Sequence, residues 1–293
     1  MHLDDLGYIS IAELIVYLPC LILGFLVCLR HGFKRTSGWI FILILSTVRI
    51  VGATCQLLTY SHPTEGLLKA TLIFDSIGIA PLLLAVLGVL SRFVDWVNAS
   101  EQIPKFNTKL FRVLQLVISI GLILGIIGVT SGGSWAADGS FTPSTVSKVG
   151  IIVYIFVLAA LTIIFILELS SVSVVPSQER ILTVHIPIAL LAIAVRLLYS
   201  TLCIFVHDAT FSLFGGSITA NVLMAIVEEF FVVIITLALG FKLRRISASA
   251  QDENMNQDRR SRFRRNHGRQ PLSSKDGIVV EVSTSELVTF SSV

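Results

Sequence analysis

Apolar residues run along this chain in seven long blocks, at about 9–29, 39–60, 70–92, 111–130, 149–170, 181–206 and 218–241, separated by short segments richer in charge, Gly, Pro and Ser. A helix rises about 1.5 Å per residue, so about 20 apolar residues cross a hydrocarbon core about 30 Å thick. Backbone N–H and C=O groups in lipid must be paired within their own segment. Long unbroken blocks do this as helices, whereas a barrel would show shorter segments of alternating polarity. The pattern predicts an all-α, polytopic membrane protein with seven transmembrane helices in one bundle over 1–241, followed by a tail over 242–293.

Composition turns this pattern into a statement about solvent. Hydrophobic residues are 54% of the 293, charged residues 14%, and the mean hydropathy is +0.84. A soluble domain is about 25% charged, because its faces must be hydrated. This chain has too little polar material to coat itself, so its principal partner is membrane lipid. Met1 to Ile9 carries Asp4 and Asp5 but no Lys or Arg, so the first block reads as a span and not as a cleaved signal. The tail holds 10 Lys or Arg and 6 Asp or Glu among many Ser and Asn; with so few apolar groups it cannot offset its ordering entropy and is expected to be disordered. Its basic cluster, from Arg259 to Arg265, is suited to anionic cytosolic lipid, and phosphorylation of Ser261 would weaken that attraction.

Positive charge then orients the bundle. The N-terminus and the second, fourth and sixth loops hold only Lys69 and Lys148, whereas the alternate segments hold eleven Lys or Arg, among them Arg30, Arg92, Lys109 and Arg180. By the positive-inside rule the N-terminus lies outside or in the lumen and the C-terminus in the cytosol. The sequon Asn98-Ala99-Ser100 falls in the third loop, on the side expected to be cytosolic and free of glycan. Cys20, Cys28, Cys55 and Cys203 all lie within spans and read as small packing residues.

The informative residues are those that should not be in a membrane. An ionisable group at mid-span costs about 2.5–3.5 kcal/mol on the insertion scale and needs a partner or a wet cavity. The candidates for an intramembrane polar network are Glu13, Arg49, Asp75, Arg196, Glu228 and Glu229, with Glu168 and His185 nearer the cytosolic boundary. Counting residues from the span ends sets Arg49 level with Glu228 and Glu229 near the midplane, and Arg196 level with Asp75 and Glu13 nearer the outside. Two layers of charge are expected. Adjacent helix residues point about 100° apart, so only one of Glu228 and Glu229 faces Arg49 squarely, and the other is left neutral or facing a cavity. Such pairs could serve only to hold the helices in order; surplus acid is what suggests a ligand site.

Pro19, Pro81 and Pro187 fall inside spans 1, 3 and 6, where each removes a helix hydrogen bond and favours a kink. Gly121 and Gly125 form a G-x-x-x-G that lets another helix of the bundle approach. Nothing resembles a nucleotide-binding loop, and His185, taken as the only histidine within a span, cannot supply a metal site by itself. No cofactor, metal or nucleic-acid partner is expected.

Several segments resemble a family of uncharacterised fungal integral membrane proteins with seven predicted spans. They are Val48-Arg49-Ile50-Val51-Gly52-Ala53, Gly78-Ile79-Ala80-Pro81-Leu82-Leu83-Leu84-Ala85 running to Ser91-Arg92, Val195-Arg196-Leu197-Leu198-Tyr199-Ser200, and Glu228-Glu229-Phe230. The resemblance covers residues 1 to about 245 and implies a fold without an activity. A looser similarity, to the fungal lipid-translocating exporter family, lacks a Glu following Arg49 on the same helix.

Three functions fit these features. The first is a non-enzymatic protein that binds or translocates an amphipathic small molecule or lipid through the charged site. The second is a terpene-cyclase-like membrane enzyme, in which a buried acid such as Asp75, Glu228 or Glu229 protonates an olefin or epoxide and some of the 18 Phe shield cations. The third is a seven-helix receptor, although span 3 ends Leu90-Ser91-Arg92-Phe93, without the acidic-Arg-aromatic triplet of rhodopsin-like receptors.

Overall fold

The computed structural model describes residues 4–31, 38–62, 64–100, 106, 108–131, 134–135, 141–142, 144–170, 179–205 and 226–243. The chain divides into two units, Met1–Arg245 and Ile246–Val293. The second unit, and with it the tail's expected disorder and basic cluster, lies outside the described residues, as does the first part of the seventh block.

The described residues form eight helices: α1 (Asp5–His31), α2 (Trp39–Thr59), α3 (Glu65–Ile77), α4 (Ile79–Ser100), α5 (Thr108–Ser131), α6 (Thr145–Leu169), α7 (Ile181–Phe205) and α8 (Val227–Lys242). Between α5 and α6 a two-residue antiparallel pair, β1 (Ser134–Trp135) with β2 (Phe141–Thr142), closes the loop. Among the described residues six stretches are long and apolar enough to cross a membrane: α1, α2, α3 and α4 taken together, α5, α6 and α7. The all-α fold fits a multi-pass membrane protein. α8, with 16 described residues, is shorter than a full span.

The third block differs from a single straight helix over 70–92. It begins earlier, ends later and is interrupted at Gly78. Pro81 explains the position: it lacks the N–H that would bond the carbonyl four residues back, Ile77, and its ring crowds that carbonyl. The other two span prolines do not end their helices; Pro19 and Pro187 sit within α1 and α7.

α4 is the central pillar, packed against α2, α5, α6 and α7. Its first half, from Ile79 to Leu90, is apolar on every side, and a helix of that kind is stable only when enclosed; Leu82, Leu83, Ala85, Leu90, Phe93 and Val94 are all buried. The outer helices instead turn large apolar side chains outward, among them Ile15, Ile22, Phe156, Val184 and Leu191. A belt of this extent is tolerated by lipid and not by water.

Close approaches lock the bundle. Gly38, with φ 89°, starts α2 in the left-handed region, and a Cβ there would lie 2.5 Å from the Ala85 carbonyl of α4. Gly121 of the G-x-x-x-G packs against Tyr154 of α6, where a Cβ would come within 2.7 Å of the ring, so the motif serves contact between α5 and α6 within the bundle. A Cβ added at its second glycine, Gly125, would meet no atom within 4 Å. At the ends of α1 and α8, His31 Nε2 donates to Gly240 O at 2.8 Å and Arg30 Nη1 to Phe241 O at 3.0 Å. These bonds satisfy carbonyls that a helix C-terminus leaves open. His31 thus belongs to α1, so His185 is not the only helical histidine.

Candidate functional site

Five helices converge on one charged cluster: Glu13 from α1, Arg49 from α2, Asp75 from α3, Arg196 from α7 and Glu229 from α8. Its centre is a bidentate pair. Arg49 Nε donates to Glu229 Oε1 at 2.5 Å and Arg49 Nη2 to Glu229 Oε2. The remaining terminal nitrogen of Arg49 donates to Asp75 Oδ1 at 3.0 Å and stands 4.0 Å from Glu13 Oε1. The planar guanidinium matches a carboxylate edge with two parallel N–H donors, which makes this the strongest kind of side-chain pairing in a medium that cannot hydrate it. Tyr17, buried on the next turn of α1 after Glu13, donates its hydroxyl to Glu229 Oε1 at 2.6 Å.

The interruption at Gly78 is what makes room. A Cβ there would lie 2.6 Å from Arg49 Nη2 and 2.9 Å from Glu229 Oε2. The same break leaves the Asp75 backbone carbonyl, near the end of α3, to accept from Arg196 Nη2 at 3.5 Å. Discontinuous helices in membranes commonly present such carbonyls to polar partners.

Pairing is unequal across the cluster. Arg49 is saturated. Arg196 is as deeply buried, with a side chain 4% exposed, yet its contacts are long: 3.7 Å to Asp75 Oδ1 and 4.0 Å from Nε to Glu229 Oε2. Its Nε has no hydrogen-bond acceptor among the described residues. Glu229 is 1% exposed, whereas the side chain of Asp75 is 48% exposed. Among the described residues three carboxylates face two guanidiniums, so with every group ionised these five carry one surplus negative charge.

Against the two layers expected from counting along the spans, the structure has a single network. Counting along straight, upright helices estimates height alone; the long arginine side chains and the break at Gly78 bring the two levels together. Of the two adjacent glutamates only Glu229 joins. Glu228 is half-buried and bonds to none of the described residues, as the turn of about 100° between neighbours requires. Glu168 and His185 are buried elsewhere in the bundle, His185 beside Thr236 Oγ1 at 3.5 Å. Among the described residues no group of three or more His, Cys, Asp or Glu is placed to hold a metal ion.

A second buried pair has no counterpart in the expectations from sequence. Arg92 of α4 makes a fork with Glu179, just before α7, through Nε to Oε2 at 3.1 Å and Nη2 to Oε1 at 2.5 Å, with side chains 3% and 7% exposed. Arg92 reads from sequence as a loop charge that sets orientation. The overlooked signal was that Phe93, Val94 and Val97 continue the apolar block beyond it, so its helix runs on into the core.

No curated protein and no solved structure matches this chain. The family described as a domain of unknown function (DUF7702) matches residues 3–246, so the match takes in every described helix, and the chain belongs to that family.

Proposed function

We propose that this protein binds or translocates an amphipathic small molecule or lipid, whose polar head enters the cluster of Glu13, Arg49, Asp75, Arg196 and Glu229. The observation that carries this reading is uneven pairing: a purely structural network would enclose all its charges, yet the Asp75 side chain is 48% exposed beside a buried and underused Arg196. A charge left open in a bundle of this hydropathy is costly unless something polar meets it. In this reading the bundle has seven spans, with α8 as the inner part of the seventh. Its N-terminus is external or lumenal, and its basic C-terminal tail contacts anionic cytosolic lipid.

The acid-catalysed alternative is less well supported. Asp75 and Glu229, two of the acids it would use, accept hydrogen bonds from Arg49 and are engaged as acceptors instead of standing ready as donors. No observation favours the receptor reading.

The test is reconstitution of purified full-length protein into phosphatidylcholine vesicles carrying a trace of fluorescently tagged phospholipid. The outer leaflet is bleached with a membrane-impermeant reductant. Protein-dependent loss of signal beyond one half, or protein-dependent retention of the tagged lipid in detergent, supports the reading. Neither effect with any tagged lipid, single-chain or double-chain, would remove it.

A further inference from the structure

We infer that the head group taken by this cluster is a monocation that also carries an oxygen acceptor, such as a protonated primary amine beside a hydroxyl on an apolar chain. The inference rests on the proposed binding reading and specifies its chemistry. Three features determine the class.

The first is charge. Two arginines and three carboxylates converge within contact distance, and in a low-dielectric interior a surplus charge is expensive. With all five groups ionised, one incoming positive charge makes the total neutral, whereas a carboxylate or phosphate head would deepen the imbalance.

The second is where acceptor capacity is left over. Asp75 Oδ1 is taken by Arg49 at 3.0 Å and approached by Arg196 at 3.7 Å, while its side chain is the most exposed of the cluster. A carboxylate offers about four lone-pair positions on its two oxygens, so the open side of Asp75 receives a donor without displacing Arg49. Glu13, 12% exposed, has no contact to Arg49 shorter than 4.0 Å and offers a second acceptor.

The third is an unmet donor. Arg196 is 3% exposed, and its Nε–H finds no acceptor among the described residues, with Glu229 Oε2 standing 4.0 Å away. Arginine presents five N–H donors, and leaving a buried one without an acceptor is unfavourable. The Asp75 carbonyl, freed by the break at Gly78, takes only a long bond from Nη2 at 3.5 Å. An oxygen next to the cation would reach Arg196 while the ammonium sits on Asp75. Arg49 is already engaged, because Glu229 holds it in a bidentate fork.

The experiment uses four probes of one chain length on purified full-length protein in detergent: dodecylamine, 1-aminododecan-2-ol, dodecan-1-ol and dodecanoate. Binding is read as the concentration-dependent rise in melting temperature. The amino alcohol is expected to bind most tightly and the amine next, with the alcohol and the carboxylate at least tenfold weaker. Asp75→Asn, which keeps shape and removes one charge, is expected to weaken both amines tenfold or more. Arg196→Lys, which keeps the charge but removes Nε–H, is expected to abolish the preference for the amino alcohol over the amine. Equal or tighter binding of dodecanoate, or amine binding indifferent to Asp75→Asn, overturns this inference. If the alcohol or the carboxylate binds in an Asp75-dependent way, the site stands and the head-group class is wrong; if no probe binds and tagged lipid is also neither moved nor retained, the binding reading itself fails.

Discussion

Replacing Gly78 by Ala separates local helix chemistry from the demands of the charged cluster, because the two predict opposite signs. Gly78 has φ −55° and ψ −32°, an ordinary right-handed helical conformation. On backbone grounds alone Ala would be better there, by about 1 kcal/mol. The obstacle is steric. The new methyl would lie 2.6 Å from Arg49 Nη2 and 2.9 Å from Glu229 Oε2, where ordinary contact begins at 3.4 Å. The guanidinium must therefore retreat by about 0.8 Å and the carboxylate by about 0.5 Å. Neither is a loose chain end: Arg49 is held by three acids and Glu229 also accepts from Tyr17. Overpacking of a close-packed interior costs about 1–3 kcal/mol, and stretching the buried fork adds part of the about 3–5 kcal/mol lost when such a pair is broken. Net of the helical gain, Gly78→Ala should destabilise by about 1–3 kcal/mol, roughly 2–10 °C in melting temperature for a chain of this size. Gly125→Ala, at a site with nothing within 4 Å of the added methyl, is the control and should be neutral or stabilising. Melting of both variants beside the parent in one detergent decides the matter. A rise in melting temperature for Gly78→Ala would refute the idea that a rigid arginine fork fills the break.

Tyr17→Phe deletes one of the donors to Glu229 Oε1 and should lower stability by about 1.5–3 kcal/mol, the range for hydrogen bonds to charged groups; an unchanged melting curve would show that the hydroxyl is idle. Arg92→Met leaves Glu179 buried without its fork and should cost about 3–5 kcal/mol, whereas Arg92→Met with Glu179→Leu should cost less than the first change alone; additive single-mutant losses would show that the pair is not coupled. The side-chain nitrogen of Asn98 that a glycan would modify donates instead to Phe106 O at 3.0 Å, so glycosidase treatment should leave the electrophoretic mobility of protein from a eukaryotic host unchanged. Asn98 lies in the last turn of α4, and a mobility shift lost on Asn98→Gln would place that end of the helix in the lumen and invert the orientation.

The apolar blocks announce helices and their solvent, because block length against bilayer thickness and the scarcity of charge are properties of composition along a line. The same logic singles out Glu13, Arg49, Asp75, Arg196, Glu228 and Glu229: a charge inside such a block is conspicuous wherever the chain goes. Which of them meet is a different kind of fact. Position along a helix estimates height but not bearing, so Glu228 and Glu229 are nearly equivalent in sequence, and only packing turns Glu229 toward Arg49 and leaves Glu228 aside. Pro81 foretells a disturbance in its helix, but that the disturbance falls at Gly78, with an arginine fork seated against it, depends on α2 and α8 arriving at the same place. Arg92 and Glu179 are 87 positions apart, and their pairing has no local signature. Sequence by itself determined that this chain is a bundle of membrane helices with buried charge to accommodate. Tertiary structure decided that the accommodation is one network across five helices, in which Arg49 has short partners and Arg196 only long ones, because pairing needs distances within about 3 Å and only the packed bundle sets them.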